Sequence, residues 1–299
     1  MSSATPSDAK PHGVLVGVDG SPASRVAVDW AARDAELRDL TLTVVHVMPT
    51  EAMAAWIDLP MTPEFWEMRN RRAEAIVAEA LGWVDDAITA TPRIAVKHCR
   101  VSTPIMPTLI DMSKDADTIV VGCRGLGGVE GLLLGSVSTA LVHHAHCPVA
   151  VIHDEDPLIP DPSHAPVVVG VDGSPASERA LSIAFDEASR RGVDLTAVHV
   201  WSDHTDDFVD GYWANLGDWA KEALAERLAG WAERYPDVTV YRIVEKDRPA
   251  RRLLDHAEKA QLLVVGSHGR GGFTRMMLGS VSAAVVHGAR MPVIVARSV

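Results

Sequence analysis

Short β-branched runs alternate along this chain with stretches whose apolar residues recur at helical spacing, and the alternation is written twice. Val14–Val18 is an apolar run of strand length and predicts a buried strand. Ala23–Arg38 places Val26, Trp30 and Leu37 on a helical period with charged residues between them, which predicts a helix. Asp19-Gly-Ser-Pro supplies turn and helix-start chemistry between the two. The pattern continues as strand Leu42–Met48, a helix near Pro63–Thr89, strand Ile94–Arg100, helix Ile105–Lys114, strand Thr118–Gly122, helix Ser136–His144 and strand Val149–His153. A similar series runs from Val167 to Arg297. Strands alternating with helices predict an α/β fold, a parallel sheet covered on both faces.

The second series repeats residues as well as pattern. Gly13–Ser24, which contains Asp19-Gly-Ser-Pro, returns as Pro166–Ser177 with Asp172-Gly-Ser-Pro, and Leu42–Val47 returns as Leu195–Val200. Gly122-Cys-Arg-Gly125, nine residues, then Gly135-Ser136 returns as Gly266-Ser-His-Gly269, nine residues, then Gly279-Ser280. The early pairs stand 153 positions apart (19 to 172) and the glycine loops 144 apart (122 to 266), so the second copy is nine residues shorter between its second strand and its loop. A duplication on this scale copies a whole domain and differs from a solenoid of short units. It predicts domains at 1–155 and 163–299, joined by Asp154–Ala165, a linker with three prolines and four acidic residues.

Length and composition agree with two soluble globular domains. With 28 Lys and Arg against 40 Asp and Glu, the net charge of −12 argues against a nucleic-acid partner. Met1–His12 is polar and does not read as a signal peptide, and no apolar run reaches membrane-spanning length. Cys99, Cys123 and Cys147 form no CxxC pair and leave one thiol over in any disulfide scheme, so a cytoplasmic location is expected.

The glycine loops carry the chemistry. A strand that ends in glycines, and a Gly-Ser that opens a helix, can form a backbone cradle for phosphate. In a doubly wound sheet such a loop lies beyond the carboxyl ends of the strands, where Asp19 and Asp172 also end theirs. Gly122 and Gly125 suit close backbone approach or a positive φ. Gly135, Ser136 and Ser138 bring N–H groups and hydroxyls to a helix N-terminus. The familiar nucleotide signatures fail: the chain has no Gly-Lys pair for a P-loop, and G-x-G-x-x-G breaks at Glu130 and at Thr274.

The spacing G-2x-G-9x-G-S after a strand, with an Asp closing the first strand and His-Val near the end of the second, resembles the universal stress protein family. It does so in both halves, as in tandem members of mycobacterial type. The resemblance implies two Rossmann-like domains of the adenine nucleotide alpha hydrolase-like kind, each a five-stranded parallel sheet of order 3-2-1-4-5. It implies ATP, with Mg2+ or Mn2+ bridging the phosphates; no metal-ligating residues are assigned. In the first half the implied contacts are Asp19 and Val47 near the adenosine, with Gly122, Arg124, Gly125, Gly135, Ser136, Val137 and Ser138 around the phosphates. In the second they are Asp172, Val200, Gly266, His268, Gly269, Arg270, Gly279, Ser280, Val281 and Ser282. The family pairs domains through the last strand, which here implies an intrachain pseudo-dimer and leaves a homodimer open.

The second loop carries Arg270 and Arg275 where the first has Leu126 and Gly131, so tighter triphosphate binding is expected in the second half. His143-His144-Ala-His146-Cys147 looks like a metal cluster, but its counterpart His287-Gly-Ala-Arg290-Met291 cannot ligate similarly, and the helix-end reading is preferred. His46 and His199 are expected to be satisfied core or interface histidines, and the tryptophans at 56, 66, 83, 213, 219 and 231 packing anchors. The function expected is an ATP-binding regulator in stress, hypoxia or growth arrest, with no catalytic residues assigned. The alternatives are a slow ATPase or adenylate-transferring enzyme, and an interaction scaffold with vestigial sites.

Overall fold

The computed structural model describes residues 10–49, 62–90, 93–125, 134–153, 164–201, 213–269 and 278–297. The chain divides into two compact units, Met1–Asp154 and Glu155–Val299. In the first unit the elements are β1 (Val14–Gly17), α1 (Pro22–Arg38), β2 (Leu42–Met48), α2 (Pro63–Ala87), β3 (Val96–Ser102), α3 (Ile105–Met112), β4 (Thr118–Gly122), α4 (Ser136–His144) and β5 (Val149–Ile152). In the second they are β6 (Val167–Gly170), α5 (Pro175–Arg191), β7 (Leu195–Trp201), α6 (Trp213–Arg234), β8 (Val240–Lys246), α7 (Pro249–Ala257), β9 (Leu262–Gly266), α8 (Ser280–Gly288) and β10 (Val293–Ala296). The third strand begins two residues later than its sequence pattern suggested, and the helix after it closes in a short 3-10 turn, Ser113–Asp115.

The first unit's strands lie in the order β3-β2-β1-β4-β5, all parallel, and the second unit's in the order β8-β7-β6-β9-β10. The registers match: Val14 faces Leu42 on one side and Thr118 on the other, as Val167 faces Leu195 and Leu262. The strand order reverses between β1 and β4, and that switch point opens a crevice at the carboxyl ends of the two strands. Val14, Leu15, Val16, Ile119 and Val120 are fully buried, as both faces of a parallel sheet require.

α1 packs on β1 and β4 in a way the sequence pattern did not show. Its buried stripe is Ala23, Ala27, Ala31 and Ala35 with Val28, while Val26 and Leu37 are 38% and 42% exposed. Small residues let the helix lie close to the sheet, and the closest approach is at the end of β4. A Cβ on Gly122 would sit 2.8 Å from the carbonyl carbon, oxygen and Cβ of Ala23. Gly266 meets Ala176 at the start of α5 in the same way, at 2.8 Å.

Both helices start alike. Ser21 accepts from Ser24 N at 3.1 Å and Ser174 from Ser177 N at 3.2 Å, each followed by a proline at the first helical position. In the second unit Phe185, Trp231 and Tyr235 stack, with Phe185 at 5.6 Å from each of the other two rings. Trp219, expected as an anchor, is 63% exposed.

Candidate functional site

Asp19 leaves β1 at the crevice and enters a tight turn. Its Oδ1 accepts from Ser21 N at 2.9 Å, and Gly20 takes φ +82°, a conformation that favours glycine. The helix cap is thus Ser21, and the aspartate is the turn residue beside it. Asp172 repeats the arrangement with Ser174 N at 2.9 Å and Gly173 at φ +79°.

His46 braces the same corner. Its Nδ1 lies 2.7 Å from the Val18 carbonyl, and His199 Nδ1 lies 2.6 Å from the Val171 carbonyl. A carbonyl only accepts, so both rings donate from Nδ1 and fix the strand end that precedes each aspartate.

The glycine loop is drawn shut by its own backbone. Gly135 N donates to Cys123 O at 2.7 Å, and Ser138 Oγ donates to Gly122 O at 2.8 Å. Gly279 N donates to Ser267 O at 2.8 Å and Ser282 Oγ to Gly266 O at 2.6 Å. These bonds spend the Gly135 N–H and the buried Ser138 hydroxyl on closing the loop. The groups left for an anion are the N–H donors of the first turn of α4, at Ser136, Val137 and Ser138. Gly135 at the N-cap offers them no side-chain acceptor. α8 begins likewise at Gly279. Gly122, Gly125 and Gly135 do not have positive φ, so close approach is what they supply. For Gly125 the neighbour is the aspartate itself: a Cβ there would lie 2.5 Å from Asp19 Oδ2, and one on Gly269 would lie 2.7 Å from Asp172 Oδ2.

All nine first-half candidates, Asp19, Val47, Gly122, Arg124, Gly125, Gly135, Ser136, Val137 and Ser138, line one cavity of about 560 Å³. The walls divide by chemistry. Val18, Val47, Ile76, Leu109, Val121 and Leu134 are apolar, and the start of α4 is a row of donors. Among the described residues Asp19 is the sole carboxylate of the lining. Sequence reasoning missed the contribution of α2, whose Arg69, Arg72, Ala73 and Ile76 form part of the wall. Their helical spacing was visible, but nothing local showed which way that face turns. The first half is therefore less bare of cations than its loop suggested.

In the second unit, Asp172, Gly266, His268, Gly269, Gly279, Ser280, Val281 and Ser282 occupy equivalent places at or just beyond the ends of β6 and β9 and at the start of α8, and Val200 on β7 is equivalent to Val47 on β2. His268 takes part through its carbonyl, which accepts from Ser174 Oγ at 3.0 Å. Arg270 and Arg275 lie outside the described residues, as do Leu126, Glu130, Gly131 and Trp56. Cys123 and its counterpart Ser267 are both 1% exposed. Among the described residues no three His, Cys, Asp or Glu side chains gather as metal ligands, and no helix is long and apolar enough to cross a membrane.

Comparison with known proteins gives a consistent answer. The family model described as "Universal stress protein family" matches residues 12–153 and again residues 164–297. The universal stress protein Rv2623 of Mycobacterium tuberculosis is 51% identical over 286 residues, covering 95% of this chain and 96% of its own. The universal stress protein Mb2028c of Mycobacterium bovis is 52% identical over 290 residues, covering 96% and 98%. Among solved structures, a universal stress protein from Archaeoglobus fulgidus aligns with a TM-score of 0.70 at 21% identity over 95% of this chain and 96% of that one, a likeness of fold.

Proposed function

The chain belongs to the universal stress protein family, as two tandem copies, and from that footing we propose that it is an ATP-binding regulator of a stress response. The observation that carries the reading is the convergence of residues from Asp19 to Ser138 on one cavity of about 560 Å³. An apolar cleft with a few convergent polar groups is the usual form of a small-molecule site. The purine and ribose fit the apolar part between Val47 and Asp19, and the phosphates fit the N–H groups at the start of α4. A divalent ion would travel with the nucleotide and neutralise its phosphates. Among its described residues the lining offers that ion no cluster of carboxylates.

The same lining speaks for regulation over catalysis. Rapid phosphoryl transfer needs a residue that places the nucleophile as well as charges on the phosphates. Among the described residues of the lining Asp19 is the one carboxylate, and its Oδ1 is already held by Ser21 N. We therefore read nucleotide occupancy as the signal and hydrolysis as slow. The purified full chain, assayed for ATP turnover and then denatured to release nucleotide, tests this. Bound adenine nucleotide with turnover far below about 1 per second supports the regulator; turnover at ordinary enzyme rates sinks it.

A further inference from the structure

We propose that Arg72 is the side chain by which the first domain discriminates phosphorylated adenine nucleotides from adenosine, a role with no counterpart on the matching helix of the second domain. The proposal rests on the reading of the cavity as a nucleotide site. α2 carries three arginines, and two are engaged. Arg69 donates to the Pro49 carbonyl and lies 5.1 Å over the Trp66 ring, and Arg71 bonds Glu67 at 2.9 Å. Arg72 is exposed on the cavity wall and has no hydrogen bond or ion pair among the described residues.

Its helical neighbours at three and four positions, Met68, Arg69, Ala75 and Ile76, include no carboxylate to pair with it. Arg124, the arginine of the lining outside α2, already has a partner. Arg72 is thus a guanidinium on the wall of the cavity that also contains the anion cradle, with its donors uncommitted among the described residues. The same cavity is lined by the first turn of α4, which has no side-chain cap. A planar donor fork of this kind matches phosphate oxygens better than it matches any part of a nucleoside.

The second domain differs helix for helix. The cations of α6 are Lys221, Arg227 and Arg234. Lys221 bonds Asp218 at 3.0 Å, Arg227 bonds Glu178, and Arg234 lies 4.9 Å over the Trp231 ring. None is left over for a ligand among the described residues. In the second domain the groups left for phosphate are its glycine loop and the start of α8.

The test compares ATP and adenosine by calorimetric titration in the full chain carrying Gly269→Glu, which fills the second cradle. Adding Arg72→Gln should weaken ATP about tenfold and flatten its salt dependence, while adenosine stays within about twofold. Arg72→Lys should recover part of the loss. Equal losses for ATP and adenosine, or no loss for either, overturn the proposal. If the chain with Gly269→Glu alone binds neither ligand, the nucleotide reading of the first cavity itself fails. Should Gly269→Glu not fold, the same comparison in the otherwise unchanged chain reads the outcome: at limiting ATP, Arg72→Gln should lower two equivalents to one, and two equivalents retained overturn the proposal.

Discussion

Replacing Gly122 by alanine asks whether the first glycine of the loop serves the ligand or the fold. The added methyl would stand 2.8 Å from three atoms of Ala23, where ordinary contact begins near 3.4 Å, so β4 or the first turn of α1 must move by about half an ångström. Overpacking of this kind costs about 1–3 kcal/mol. Alanine offsets about 0.4–1 kcal/mol of that by restricting the unfolded chain. The net loss is about 1–2 kcal/mol, or roughly 3–6 °C in a domain of this size. Gly82→Ala is the control. It lies exposed within α2 with nothing within 4 Å of the new methyl, and should stabilise by about 0.5–1 kcal/mol. Urea unfolding and thermal melting of the two variants read these opposite signs. If Gly122→Ala proves as stable as the wild type, the close approach of α1 to β4 is wrong, and so is the account of why this position is glycine.

Ser138→Ala removes the hydroxyl that donates to Gly122 O at 2.8 Å and leaves a buried carbonyl short of a partner; a loss of about 1–2 kcal/mol is expected by urea unfolding, and an unchanged midpoint would contradict the closed-loop geometry. Glu245 is held down to a pKa of about 2, chiefly by its hydrogen bond from Arg252 and further by His256, against partial burial. A depressed carboxylate stabilises the fold above its unfolded pKa and loses that contribution as the pH falls through the folded value. Glu245→Gln should therefore lower the melting temperature at pH 6 and match the wild type near pH 2; a constant difference across that range would sink the assignment.

The sequence made the fold class legible because each strand is short, β-branched and bounded by turn chemistry, and because duplication repeated every signal. The glycine loop and Asp19 were legible as site residues for the same reason, since their spacing recurs in full. What stayed hidden depends on contacts between distant segments. Val26 and Leu37 marked α1 as a helix by their period, yet the face it buries is the alanine stripe that a close fit to Gly122 demands. The hydroxyl of Ser138 looked like a ligand donor, and its acceptor sits sixteen positions away in the strand before the loop. Arg69 and Arg72 lie in a helix whose orientation no local pattern fixes, so their place in the cavity emerged from packing alone.

Equilibrium dialysis of labelled ATP against four full-length chains tests the central claim most directly: wild type, Gly125→Glu, Gly269→Glu and the double variant. Each glutamate would project from a glycine whose added Cβ already meets an aspartate oxygen, at 2.5 Å for Gly125 and 2.7 Å for Gly269. The account predicts two equivalents of ATP on the wild type, one on each single variant and none on the double. A wild type that binds none, or a double variant that binds as the wild type does, would contradict it.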